Sequence, residues 1–239
     1  MDIASDTTNV VTETHQVDEP QNEIIGYGGI SQVYKPHTNI TCFARSFVIK
    51  RYLTGSAKTE FDILKSLNHP GIVKVFELIN TREYSMEEGF HIRDHLTESE
   101  LLDVLNDIIP AIKYIHSRGI LHMDIRSGNI LKFNNSGAHY KLIDFSLAHS
   151  SRDMSKCINS WHMYPEEFNA DPHNIGPAVD IWMLGMFCLD STYPIWMCDV
   201  KDSHFYTTIN KHIALIRSEK LRSLMYGFLS RDPTKRLKY

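Results

Sequence analysis

Several things are missing from this 239-residue chain, and each absence removes a class of function. Its four cysteines, Cys42, Cys157, Cys188 and Cys198, show no CxxC spacing. The opening MDIASD has neither the basic nor the apolar region of a secretory signal. Together these features read as free thiols in a reducing, intracellular compartment, cytoplasmic or nuclear. The 13 histidines are scattered, and no HExxH or His/Cys cluster argues for a metal site of that kind. The most apolar run, Ile181 to Leu189, ends at Asp190 and is too short to span a bilayer. It is expected to be a buried helix, and no membrane partner is expected. The net charge is −4 and no basic stripe is visible, which argues against a nucleic-acid partner. There is no internal repeat.

What is present is an ordinary globular balance, 42% hydrophobic and 23% charged, enough for one large domain or two small lobes around a cleft. Residues 1–22 are rich in Thr, Asp, Glu and Asn and read as a flexible acidic tail. From 24 to 52 the chain is β-like: IIGYGGISQVY and SFVIKRYL are short β-branched and aromatic runs with glycines at the first turn. AKTEFDILKSL (57–67) places Phe61, Leu64 and Leu67 on one side of a helix that Asn68-His69-Pro70-Gly71 stops. IVKVFELI (72–79) and REYSM (82–86) read as two more strands.

The character then changes. Thr97-Glu98-Ser99-Glu100 is a capping box that opens a helix running to about Ser117, with Ile108, Ile109, Ile112 and Ile115 as its buried face. Short strands are expected at 130–133 and 140–145, joined by the turn 134–137, then an irregular polar segment over 146–163. Past Pro177 the chain reads as helical, with breaks near Pro194 and Pro233. The fold class is therefore α+β. A β-rich lobe with one main helix (23–87) is followed, after a hinge near 86–90, by a mostly helical lobe (88–239).

Five features carry chemistry. Gly26-Tyr27-Gly28-Gly29-Ile30-Ser31-Gln32-Val33 lies between two strands, and glycines there let backbone amides approach phosphate oxygens without a Cβ clash. Lys50 ends the apolar run Phe47-Val48-Ile49 and can point into a cleft. Glu60, ten residues on, can fix it by a salt bridge. In ILHMDIRSGNIL (120–131), Asp124 can accept a proton from an attacking hydroxyl, Asn129 can ligate Mg²⁺ as a neutral oxygen donor, and Arg126 can neutralise a transferred phosphoryl group. Asp144 closes the apolar strand Leu142-Ile143. A carboxylate in that place is costly without a cation partner, and Mg²⁺ is the natural candidate.

In this order, over about residues 24–237, these features resemble the eukaryotic-type protein kinase family. The resemblance implies ATP and Mg²⁺ as cofactors, a protein substrate and a two-lobed fold. Gly26, Gly28 and Val33 match the glycine-rich loop, with Ser31 in the third glycine slot. Lys50 is similar to the strand lysine that pairs the α/β-phosphates, and Glu60 to its helix partner. Met86 resembles the gatekeeper, and Glu87 and Glu88 would lend backbone groups to adenine. Val33, Val48 and Leu131 would sandwich the ring, and His122, Phe145, Leu64 and Val75 would stack as a spine. Asp124 would be the base, Arg126 would stand in for the usual lysine, and Asn129 and Asp144 would hold Mg²⁺. Tyr164-Pro165-Glu166 resembles the end of the activation segment, with Glu166 paired to Arg236. Asp180-Ile181-Trp182 resembles the start of the central buried helix.

The chain also departs from the pattern. Met123 replaces the usual arginine, Ser146 replaces the glycine after Asp-Phe, and Asn159, Ser160 and His162 fall near the slots usually held by Gly-Thr and Tyr. No terminal helix follows Arg236, which is similar to compact kinases of viral genomes. The implied function is transfer of the ATP γ-phosphate to a protein Ser or Thr. Activity is expected not to need activation-segment phosphorylation, because methionine cannot hold a phosphate. Two rivals remain: a pseudokinase that binds nucleotide or protein without transfer, and a small-molecule phosphotransferase, which the Tyr-Pro-Glu and Arg-Asp-Pro-Thr-Lys-Arg segments oppose.

Overall fold

The computed structural model describes residues 22–36, 46–134, 138–150, 176–192 and 204–236. The acidic tail up to residue 21, most of the 134–137 turn, and the segment bearing Asn159, Ser160, His162, Tyr164, Pro165 and Glu166 lie outside the described residues, as does the break near Pro194.

Strands β1 (Glu23–Tyr27) and β2 (Ser31–Lys35) form a hairpin over the glycine-rich turn, closed by the Gly28 amide donating to the Ser31 carbonyl at 2.6 Å. With β3 (Phe47–Tyr52), β4 (Val75–Asn80) and β5 (Glu83–Glu87) they make an antiparallel sheet in the order β1-β2-β3-β5-β4. Side chains alternate across a strand. Along β3 that alternation turns Val48, Lys50 and Tyr52 inward. Helix α1 (Lys58–Ser66) follows β3 and turns Glu60, Phe61 and Leu64 into the lobe, where the Phe61 ring lies 5.9 Å from that of Tyr84.

Helix α2 (Glu98–Ser117) starts at the predicted capping box: the Thr97 hydroxyl accepts from the Glu100 amide, and the Glu100 carboxylate accepts from the Thr97 amide at 2.9 Å. Leu101, Val104, Leu105, Ile108, Ala111, Ile112 and Ile115 form its buried stripe at helical spacing. Ile109, expected on that face, is only partly buried, because one residue past Ile108 turns it about 100° away from the seam.

Strands β6 (Phe90–His91), β8 (Ile130–Lys132) and β9 (Tyr140–Leu142) form a three-stranded sheet in the order β6-β8-β9, and β7 (Ile120–Leu121) pairs with β10 (His149–Ser150). β9 stops short of the expected 145 because Asp144 takes a φ of +58°, which no strand accommodates. Helices α3 (Ala178–Thr192), α4 (Phe205–Leu215) and α5 (Glu219–Phe228) complete the second lobe. The Ile181–Leu189 run is the centre of α3 and is buried throughout, as its composition predicts. The protein is thus a two-lobed α+β fold, with no helix among the described residues long and apolar enough to cross a membrane.

The chain passes between the lobes after β5, and hydrogen bonds at residues 71–73 add a contact between them: Leu142 donates to the Gly71 carbonyl at 2.9 Å and Val73 donates to the Leu142 carbonyl at 3.0 Å. Gly71 is pressed so close to α2 that a Cβ there would stand 2.8 Å from the Asp107 carbonyl oxygen and 3.0 Å from the Ala111 Cβ. A backbone oxygen inside a helix cannot step aside. Gly71→Ala is therefore expected to cost about 1–3 kcal/mol of overpacking, measured as a lower denaturation midpoint with an unchanged slope.

Candidate active site

A cleft of about 400 Å³ opens between the lobes. Most of the residues singled out in the sequence line it: Gly26, Tyr27, Gly28, Ser31 and Val33 from the first hairpin, Val48 and Lys50 from β3, Met86 and Glu87 at the end of β5 with Glu88 just past it, and Arg126, Asn129, Leu131 and Asp144 from below. Gly29, Ile30, Glu60 and Asp124 do not: Gly29 and Ile30 sit at the tip of the turn, with Ile30 46% exposed, Glu60 is buried against Lys50, and Asp124 meets the cleft through Asn129 and Arg126. Val33, Val48 and Leu131 are among the apolar residues lining this cleft.

Lys50 is buried beside two carboxylates. Its Nζ lies 3.0 Å from Glu60 Oε1 and Oε2 and 2.9 Å from Asp144 Oδ1. Burial pulls the ammonium down, but Glu60 and Asp144 outweigh it and raise it above its ordinary value. For Asp144 the balance runs the other way. Burial pushes its carboxyl up, yet the Lys50 charge and bonds from Lys50 and Ser146 hold it well below the carboxylate range. Ser146, the departure from glycine, donates its amide to Asp144 Oδ1 at 3.2 Å. Glu60 also accepts the Phe145 amide at 2.7 Å, so one carboxylate joins β3, α1 and the chain after β9.

The loop 122–129 is held from below. Asp180, fully buried at the start of α3, accepts from the amides of His122 and Met123 at 2.9 Å each and bonds His116 Nε2 at 2.8 Å. Burial pushes the Asp180 carboxyl up, and His116 and the His122 contacts more than reverse that. Met123 itself is buried with φ +66°, a left-handed conformation costing about 1–3 kcal/mol for a non-glycine residue. His122 donates Nε2–H to the Ile143 carbonyl at 3.0 Å and stacks edge-on against Phe145 at 4.7 Å. Of the four proposed spine residues, Leu64, Val75 and Phe145 belong to the buried apolar core, and the polar His122 reaches it through its contact with Phe145.

Asp124 Oδ2 accepts from Asn129 Nδ2 at 2.6 Å and from Arg126 Nε at 3.3 Å, while Asn129 Nδ2 also holds the Asp124 carbonyl at 2.8 Å. A Cβ at Gly128 would stand 3.0 Å from the Arg126 guanidinium, so a side chain there would have to displace that half-exposed group. Arg236, expected to pair with Glu166, is buried, with its guanidinium 4.8 Å from the Trp182 ring and bonds to the Ser230 and Ala178 carbonyls.

Several functional neighbours escaped the sequence reading. Glu87 spends its side chain on Lys141 at 2.6 Å and on the Lys74 amide at 2.7 Å, and its own amide donates to the Lys74 carbonyl. Glu88 pairs with Lys35 at 2.6 Å across the cleft mouth. Gly89, directly after them, is packed where a Cβ would meet Phe133 at 2.6 Å. Its signal was present as the one glycine following the hinge pair.

A lobe of antiparallel sheet with one helix, set on a helical lobe, with a buried lysine–glutamate pair above an Asp/Asn loop, defines a two-lobed kinase fold. Comparison with known proteins places it: the chain belongs to the protein kinase domain family, whose model matches residues 20–239. It is 25% identical over 233 residues to Serine/threonine-protein kinase PLK4 of Drosophila sechellia, covering 87% of this chain and 29% of that protein. It is 28% identical over 249 residues to Serine/threonine-protein kinase TIO of Arabidopsis thaliana (90% and 18%), and 36% identical over 145 residues to Probable serine/threonine-protein kinase mkcE of Dictyostelium discoideum (53% and 19%). The chain spans less than a third of the length of these relatives.

The depressed carboxyl of Asp144 makes a stability statement. Its folded pKa lies below the unfolded value of about 3.9, so its contribution is present above that pH and is lost as pH falls through the folded value. Asp144→Asn is expected to lose less unfolding free energy than the wild type on acidification below about pH 4. Asp180 and Glu83, also depressed, are common to both proteins and cancel in the comparison.

Proposed function

We propose that the chain transfers the γ-phosphate of ATP to a serine or threonine hydroxyl of a protein substrate. The observation that carries this reading is the Asp124 carboxylate, braced on one oxygen by Asn129 and Arg126, two residues that line the cleft together with Lys50 and Asp144. A carboxylate fixed on Oδ2 has Oδ1 to orient an acceptor hydroxyl and take its proton as the oxygen attacks phosphorus. Lys50 would hold the α/β-phosphates. Arg126, half exposed beside Asp124, would stabilise charge on the transferred group; its planar fork keeps the charge of the usual lysine. The backbone of Gly26 to Ser31 would cover the phosphates, and Val33, Val48 and Leu131 the adenine, with Met86, Glu87 and Glu88 at its edge.

The donor set suits Mg²⁺. Lys50 faces two carboxylates, Glu60 and Asp144, so the buried cluster carries one negative charge in excess. Asp144 and Asn129 offer hard oxygen ligands, and among the described residues no cluster of three His, Cys, Asp or Glu competes for a softer metal. Asp144 and Asn129 would hold Mg²⁺ beside the nucleotide, and the ion would supply charge neutralisation for the phosphates. The single-domain boundary, 23–239 with the lobes meeting at 87/88, belongs to the same proposal.

The Ser/Thr preference is supported by the names of the relatives. The alternative, a pseudokinase that binds nucleotide or partner without transfer, draws on Met123 and Ser146. Neither displaces chemistry: Met123 is buried beneath the loop, and Ser146 supports Asp144 through its amide. Asp124→Ala is expected to lower γ-phosphate transfer to a generic protein substrate by at least about 10²-fold. Equal background from wild type and variant would defeat the enzyme reading, and an ATP-dependent thermal shift in that case would identify the pseudokinase.

The burial of Met123 bears on regulation. A thioether packed in the core offers no charge to a phosphorylated activation segment. Phosphatase treatment is therefore expected to leave the transfer rate unchanged. Loss of activity on treatment, with recovery on rephosphorylation of the segment, would overturn this.

A further inference from the structure

Helix α1 carries Glu60, and its start is tied within its own lobe: the Ser56 hydroxyl accepts the Lys58 amide at 3.2 Å and the buried Ala57 donates its amide to the Thr81 carbonyl at 2.9 Å. Glu60 is 2% exposed, and its carboxylate is shared among donors from different elements. Lys50 approaches at 3.0 Å, the Phe145 amide reaches Oε1 at 2.7 Å, and the Tyr52 hydroxyl donates to Oε2 at 2.7 Å.

Of these three donors Lys50 is the least committed. It already divides itself between Glu60 and Asp144 at nearly equal distances, and it lines the cleft where phosphates would bind. Each new partner draws the ammonium away from Glu60. Tyr52 has no such conflict. It is buried two residues beyond Lys50 on the same face of β3, with the Lys50 ammonium 5.5 Å from its ring centre. Fully buried Tyr84, opposite Lys50 on β5, faces the same group of charges. Burial first, then the Glu60 carboxylate, push both phenols far above their ordinary value, so Tyr52 remains an O–H donor at neutral pH.

We propose that Tyr52 is a positioning residue: its hydroxyl pins the Glu60 carboxylate to the sheet, so that Lys50 stays aimed at the cleft while its ammonium is shared between Asp144 and a nucleotide phosphate. This rests on the phosphotransfer reading above. It also supplies from within the N-terminal lobe a hold on α1 that does not depend on the activation segment, in keeping with the buried methionine at position 123.

The test measures ATP and adenosine binding to wild type, Tyr52→Phe, Glu60→Gln and the double variant. Adenosine has no phosphate for Lys50, so it reports the pocket alone. Tyr52→Phe keeps the ring and its packing and removes only the hydroxyl. It is expected to weaken ATP binding about fivefold, the order of a partly transmitted hydrogen bond to a charged acceptor, and to leave adenosine binding unchanged. In the Glu60→Gln background the same change is expected to have no further effect on ATP, because the group through which Tyr52 acts is altered. The proposal is overturned if Tyr52→Phe leaves ATP affinity unchanged, weakens adenosine equally, or costs the same with and without Glu60. A wild type that binds ATP but transfers nothing defeats the kinase reading alone, because the Tyr52 effect is read from binding.

Discussion

One buried ammonium organises the site. Lys50 stands between Glu60 on α1 and Asp144 after β9, and each of the three would be expensive inside the protein without the others. A buried charge stripped of its partner costs several kcal/mol, on the order of a domain's whole margin of stability. The strand, the helix and the strand end are therefore drawn to one point. The cluster also has more negative than positive charge, so it favours a further cation.

The second constraint is strain. Among the described residues two non-glycine residues take left-handed backbone, Met123 before the loop aspartate and Asp144 beside the lysine. Both are held by hydrogen bonds that over-determine them: Asp180 receives the His122 and Met123 amides, and Asp144 is gripped by Lys50 and the Ser146 amide. α3, apolar almost all round, thus carries at its first turn the one carboxylate that supports the loop from below. The helix anchors in the core, and the loop borrows that rigidity.

Much of this could be read from the sequence, and the reasons are specific. The capping box at Thr97 and Glu100 is a local signal, so the start of α2 was legible to the residue. The lysine, glutamate and Asp/Asn loop were legible because their residue types are costly where they stand and so demand partners. What stayed hidden depends on tertiary proximity. Tyr52 shares a strand face with Lys50 by simple alternation, but a tyrosine in a strand also reads as ordinary core, and only the fold brings Glu60 to its hydroxyl. Asp180 reads as a helix-start residue, and nothing local says that its carboxylate receives amides from residues almost sixty positions earlier. The end of β9 was misplaced because a positive φ at Asp144 has no sequence signature in a non-glycine residue.

The contact at Gly71 limits how the lobes can be spaced. Along 71–73 the N-terminal lobe is bonded to Leu142, and at Gly71 its backbone lies against α2 with no room for a methyl group. The Lys50–Asp144 and Lys141–Glu87 pairs bind the same two lobes at other points. A larger residue at 71 would therefore act as a shim: it would lift one lobe off α2 while those pairs still pull the lobes together, setting a steric push against electrostatic ties. The bare α-carbon at Gly71 is what lets both demands be met at one separation.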